Sequence, residues 1–123
     1  MSEQPNRFQK LVAAAKQNII EIAAPEARQQ VATGDAILVD VREESDWREG
    51  HADGAKHLSR GTIELDIEEE IPDTSKPIIC YCGGGSRSAL VAESLQKMGY
   101  TNVRSLAGGM RAWKESGLPT SRD

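Results

Sequence analysis

Short apolar runs alternate along this chain with stretches in which apolar residues recur every three or four positions, and the alternation continues from one end to the other. Leu11, Val12 and Ala15 give the segment Phe8–Asn18 a helical period, and Ile19–Ile22 is a β-rich run. Pro25 suits the first turn of a second helix reaching about Ala32, with Gly34 closing it, and Ala36–Val41 has the unbroken apolar character of a buried parallel strand. A short helix over Glu43–Glu49 stops at Gly50, Ala55–Leu58 reads as the next strand, and Thr62–Ile71 is a helix ended by Pro72. Pro77–Tyr81 is a strand, Arg87–Met98 an Ala- and Leu-rich helix closed by Gly99, Val103–Leu106 a last strand and Gly109–Ser116 a last helix. Strands separated by helices predict an α/β fold: a mainly parallel sheet flanked by helices on both faces, with ligands at the carboxyl ends of the strands.

Size and charge narrow the picture. The 123 residues suffice for one compact domain and not for two ordinary ones. A net charge of −4 with no basic stripe argues against nucleic-acid binding. Met1–Lys10 is polar and lacks the apolar core of a signal peptide, and no later stretch approaches membrane-spanning length, so the expectation is a cytoplasmic protein without a membrane partner. Cys80 and Cys82, one residue apart, cannot form a disulfide framework and fit a reducing compartment.

The residues with the clearest chemical character lie between a strand and a helix. Cys82 is followed by Gly83, Gly84, Gly85, Ser86 and Arg87. Three glycines let successive backbone N–H groups turn inward around a negative charge. Arg87 adds a permanent cation, and a helix beginning near Ser86 aims the positive end of its dipole at the same point. A free thiol titrates at about 8.5, and beside an arginine and a helix N-terminus it falls to about 3.5 to 7.5. Cys82 is therefore a candidate nucleophile in an anion cradle. His51, His57 and Cys80 lack the spacing of a structural metal site, so no metal is expected; Cys80 reads as a buried strand residue and Trp113 as core.

Three segments together resemble the rhodanese family of sulfurtransferases. Leu38-Val39-Asp40-Val41-Arg42-Glu43, with Trp47, Gly50-His51 and Gly54-Ala55, is similar to the family's first signature. Cys82 to Arg87 is similar to its active-site loop, and Gly108-Gly109-Met110-Arg111-Ala112-Trp113, followed by Gly117-Leu118-Pro119, to its second signature. The resemblance implies a single rhodanese-like domain over residues 18–123 with a five-stranded sheet, preceded by an N-terminal helical extension over residues 1–17. It implies a cysteine that carries sulfur as a persulfide and no required metal or organic cofactor. Cys82 maps onto the sulfur carrier, Gly83 to Ser86 onto the backbone cradle and Arg87 onto the position that closes the loop; Asp40 and Arg42 are read as loop support. Gly83 stands where members often carry a basic or polar residue, which leaves Arg87 the only cation of the loop.

The chemistry so implied is ping-pong transfer. An exposed Cys82 thiolate takes a sulfane sulfur from a small anionic donor such as thiosulfate and passes it to cyanide, a thiol or a protein acceptor. Two alternatives stand beside it. One is a sulfur carrier or docking module for a protein partner, with little turnover of small molecules. The other is a thiol-based phosphatase or arsenate reductase, disfavoured because those enzymes place five residues between cysteine and arginine where this chain has four.

Overall fold

A computed structural model describes residues 4–123, so the first three residues of the expected N-terminal extension lie outside the described residues. Helix α1, Arg7–Lys16, starts at a reciprocal cap: Asn6 Oδ1 accepts from the Gln9 N–H and Gln9 Oε1 accepts from the Asn6 N–H, each at 2.8 Å. Its buried side chains, Val12 and Ala15, dock α1 against the later helix α5, and Asn18 Nδ2 fastens the junction by donating to Glu93 Oε2 at 2.9 Å.

Strand β1 (Ile20–Ile22), helix α2 (Ala24–Ala32) and strand β2 (Ile37–Asp40) follow. Helix α3 (Glu44–Glu49) then leads into two very short strands, β3 (His51–Ala52) and β4 (Lys56–His57). The second half runs α4 (Ile63–Glu70), β5 (Ile78–Tyr81), α5 (Ser86–Lys97), β6 (Val103–Leu106), α6 (Gly109–Glu115) and β7 (Thr120–Ser121). Each long element lies within two residues of its sequence-based expectation. The strand expected over Ala55–Leu58 shrinks to two residues, and β3 and β7 come as additions.

Five strands form one sheet in the order β1-β6-β5-β2-β4, with every pairing parallel. Strands β3 and β7 form a separate antiparallel pair. Successive side chains of a strand point to opposite faces, so β5 serves two cores at once. Ile78, Cys80 and, just beyond the strand, Cys82 pack with Ile63 and Ile67 of α4 and Val91 and Leu95 of α5. Ile79 and Tyr81 pack with Ala27 of α2 and Met110 and Trp113 of α6. Trp113 is fully buried, and its indole N–H donates to the Pro119 carbonyl at 2.8 Å. From β2 the chain moves outward to β4, whereas from β5 it moves the other way to β6. That reversal opens a crevice between the carboxyl ends of β2 and β5, where open α/β sheets hold ligands. Arg42 and Cys82 stand on its two sides.

Placing a carboxylate under α1 by Ala15→Glu should detach that helix and forfeit the burial of Val12 and Ala15. The expected loss is about 2 kcal/mol, or about 5 to 10 °C in Tm. Calorimetry should register it while the pH dependence of Cys82 alkylation stays as in the wild type.

Candidate active site

Strand β5 carries the chain straight to Cys82, and α5 begins four residues later, so the intervening loop must turn sharply. Gly85 makes the turn at φ 98°, a left-handed conformation that side chains resist. The Gly85 N–H lies 3.1 Å from the Cys82 sulfur and the Ser88 N–H 3.4 Å from it, and Ser88 Oγ stands 3.5 Å away. The sulfur thus sits at the open N-terminus of α5, on the positive end of its dipole.

Burial is the largest single influence on the Cys82 thiol and pushes its pKa up. The Ser88 hydroxyl, the Ser88 N–H and the N–H groups of Gly85 and Gly84 act together in the other direction and prevail, leaving Cys82 below the ordinary thiol range. Two residues earlier, Cys80 has no such donors. Burial, with the charge of Cys82 as a second cause, pushes it up to about 12, and it stays an inert core thiol.

Three features differ from the sequence-based expectation. Cys82 is 2% exposed rather than an exposed thiol, because the loop folds over the sulfur it solvates. The donors are Gly84, Gly85 and Ser88, the last of which the loop motif did not single out. The Arg87 side chain is half-buried in the first turn of α5 and makes no hydrogen bond or ion pair among the described residues, so the lowering of Cys82 comes from polar groups in direct contact with sulfur. Gly83 and Ser86 belong to the same turn without bonding the sulfur.

Gly83 is held from the opposite side. The first N–H groups of α6 close on the loop backbone: Met110 donates to the Cys82 carbonyl at 2.8 Å and Arg111 to the Gly83 carbonyl at 3.1 Å. This contact requires the glycine pair before it. Gly109 lies at φ 54°, and a Cβ there would strike the Cys82 carbonyl oxygen and stand 2.8 Å from the Gly83 carbonyl carbon.

Asp40 and Arg42 act one step away from the loop. Asp40 is fully buried at the end of β2 and accepts from the Arg42 backbone N–H at 2.9 Å, from Arg42 Nη2 at 2.8 Å and from the Tyr81 hydroxyl at 2.7 Å. Arg42 Nη2 also donates to the Gly50 carbonyl at 2.8 Å, and the Ala52 N–H donates to the Tyr81 oxygen at 3.0 Å. Burial opposes the charge of Arg42, and the paired Asp40 more than restores it, so its pKa is raised. This network ties the end of β2, the Gly50–Ala52 segment and the residue before Cys82 into one unit. His51 and His57 both stack on Trp47, and each ring nitrogen that bonds does so to a backbone carbonyl, Trp47 O for His51 and Arg42 O for His57, at 2.9 Å.

A family model for the rhodanese-like domain matches residues 23–116. The chain belongs to the rhodanese-like domain family. Among solved structures, this rhodanese-like domain is similar to the polysulfide-sulfur transferase homodimer of Wolinella succinogenes, at 30% identity and a TM-score of 0.80 over 93% of this chain and 86% of that one. It is similar to a thiosulfate sulfurtransferase of Pseudomonas aeruginosa at 29% identity and a TM-score of 0.79, over 85% of this chain but 20% of that much longer one. A Rhodopseudomonas palustris protein described as a possible tyrosine phosphatase matches at 29% identity and a TM-score of 0.82, over 98% of this chain and 99% of that one. Membership implies, in general terms, a sulfur donor and a sulfur acceptor as substrates. Among the described residues, no helix is long and apolar enough to cross a membrane.

Two variants test the supports of the rhodanese loop. Gly109→Ala combines a left-handed backbone with a collision against the loop, so it should cost at least about 2 kcal/mol in urea unfolding and raise the pH midpoint of Cys82 alkylation. Arg42→Met leaves Asp40 buried without its cation and should cost about 3 kcal/mol by the same measurement.

Proposed function

We propose that this domain is a sulfurtransferase in which Cys82 carries a sulfane sulfur as a persulfide. The observation that supports this most directly is a buried sulfur receiving hydrogen bonds from Gly85 and Ser88 at the N-terminus of α5, with its pKa below the ordinary thiol range. That environment favours a sulfur anion, whether thiolate or persulfide.

In the first half-reaction the Cys82 thiolate attacks the outer sulfur of thiosulfate. A new S–S bond forms to Cys82, the S–S bond of thiosulfate breaks, and its electron pair leaves with sulfite. In the second, cyanide or a thiolate attacks the outer sulfur of the persulfide, and the electron pair of the Cys82 S–S bond returns to Cys82 as thiolate. Gly83 to Ser86 form the backbone cradle for the sulfur carried on Cys82. Arg87, on the first turn of α5, supplies the positive charge that draws an anionic donor to the loop mouth. Asp40 and Arg42 keep the adjoining strand end rigid. The acceptor in the cell is a thiol or a protein that presents one. The reducing cytoplasm suits a domain whose two cysteines are both free.

The ring of donors also argues against phosphate chemistry. Four residues separate Cys82 from Arg87, and the N–H groups reach inward to a single sulfur atom, which leaves a tetrahedral oxyanion crowded.

Intact mass spectrometry of wild type and Cys82→Ala after thiosulfate treatment tests the reading. Wild type alone should gain one sulfur, which cyanide should then remove as thiocyanate. A gain on Cys82→Ala, or no gain from thiosulfate, mercaptopyruvate or glutathione persulfide, overturns it. Hydrolysis of an aryl phosphate that depends on Cys82 would turn the reading toward a phosphatase.

A further inference from the structure

Strand β6 carries a polar residue on its core-facing side, where Val103 two residues earlier is apolar. Ser105 pairs in register with Cys80, so its side chain points to the same side of the sheet as Cys80 and Cys82, toward the core beneath α5. It is fully buried, as is Ser88. A hydroxyl in such a place is costly without a partner, and the partner of Ser105 is Ser88, whose oxygen lies 2.8 Å away. Ser88 Oγ in turn lies 3.5 Å from the Cys82 sulfur. Two buried hydroxyls therefore form a line ending on the Cys82 sulfur, one from α5 and one from β6.

The direction of the line follows from counting protons. Each hydroxyl has one proton to give. An ionised Cys82 has none, so the order that leaves no donor idle runs from Ser105 to Ser88 to sulfur. The Ser88 hydroxyl also has a competing choice, since it can rotate and bond a carbonyl three or four residues earlier in the chain. A donor on the far side of Ser88 occupies its lone pair and favours the rotamer whose proton faces sulfur. We propose that Ser105 is a positioning residue for the sulfur chemistry, donating to Ser88 and thereby holding the Ser88 proton on the Cys82 sulfur. This deepens the reading of Cys82 as the nucleophile and rests on it.

A double-mutant cycle read by the ultraviolet absorbance of the thiolate during pH titration tests the assignment. Cys80, pushed up to about 12, stays protonated across the useful range. Burial also raises the pKa of the hydroxyls of Tyr81 and Tyr100, the two tyrosines of the chain, and a guanidinium does not titrate in proteins, so the midpoint reports Cys82. Loss of a hydrogen bond to the anion by Ser88→Ala should raise the midpoint by about one pH unit, and Ser105→Ala by about half a unit. The increment from Ser105 should vanish in the Ser88→Ala, Ser105→Ala double variant, which should titrate like Ser88→Ala alone. Ser105→Thr, which keeps the hydroxyl, should titrate close to wild type. An unmoved midpoint in Ser105→Ala, increments that add in the double variant, or a lowered Tm with no change of midpoint would each overturn the proposal. Sulfur loading measured by mass on the same proteins separates the two readings. A cycle that holds while no sulfur is loaded rejects the transfer chemistry and leaves the hydrogen-bond line intact.

Discussion

In a cysteine that is 2% exposed, the sulfur keeps a negative charge only if protein donors replace the water it has lost. That constraint organises the rest of the molecule. Burial alone drives a thiol toward its neutral form, as Cys80 demonstrates two residues away with a pKa of about 12. Cys82 is shifted in the opposite direction by the Ser88 hydroxyl and the N–H groups of Ser88, Gly85 and Gly84. The difference between an inert and an activated cysteine is thus the difference between a strand, whose N–H groups are committed to the ladder, and a helix N-terminus, whose first N–H groups are free.

Keeping those donors in place is a packing problem solved by backbone meeting backbone. The N–H groups of Met110 and Arg111 grip the carbonyls of Cys82 and Gly83, and Gly85 comes so close to Gly108 that a Cβ on Gly85 would stand 3.2 Å from the Gly108 nitrogen. The Gly108-Gly109 pair is therefore part of the same device as the Gly83-Gly84-Gly85 run, although 22 residues of chain lie between them. On the other flank, the Asp40–Arg42 pair holds Tyr81, the residue before Cys82, through its hydroxyl. A buried ion pair of this kind is a weak source of stability; its value here is that it joins Gly50, Ala52 and Tyr81 through directional bonds.

The loop was legible in the sequence because each of its parts has a local signature: a cysteine at a strand end, three glycines and the start of an amphipathic helix. So were the long strands and helices, whose apolar periods reflect burial on one or both faces. The short strands β3 and β7 were not, since two residues carry no period and their pairing joins His51 and Ala52 to Ser121 and Thr120, far along the chain. Tyr81 and Asp40 gave no sign of bonding each other. The register of β2 against β5 places them opposite one another, and that register is a property of the assembled sheet.

By itself the sequence determined the order of elements, the position of Cys82 at a strand end and the glycines that let the chain turn there, because these depend on residues close together along the chain. Which groups touch the sulfur was decided only by the tertiary structure. Ser88 turns inward because of where α5 lies on the sheet. Ser105 reaches it because parallel pairing puts β6 beside β5, and Arg87, the most conspicuous charge of the motif, makes no hydrogen bond or ion pair among the described residues. Hydrogen bonds act over about 3 Å, a distance that spacing along a chain does not specify until the layers have packed.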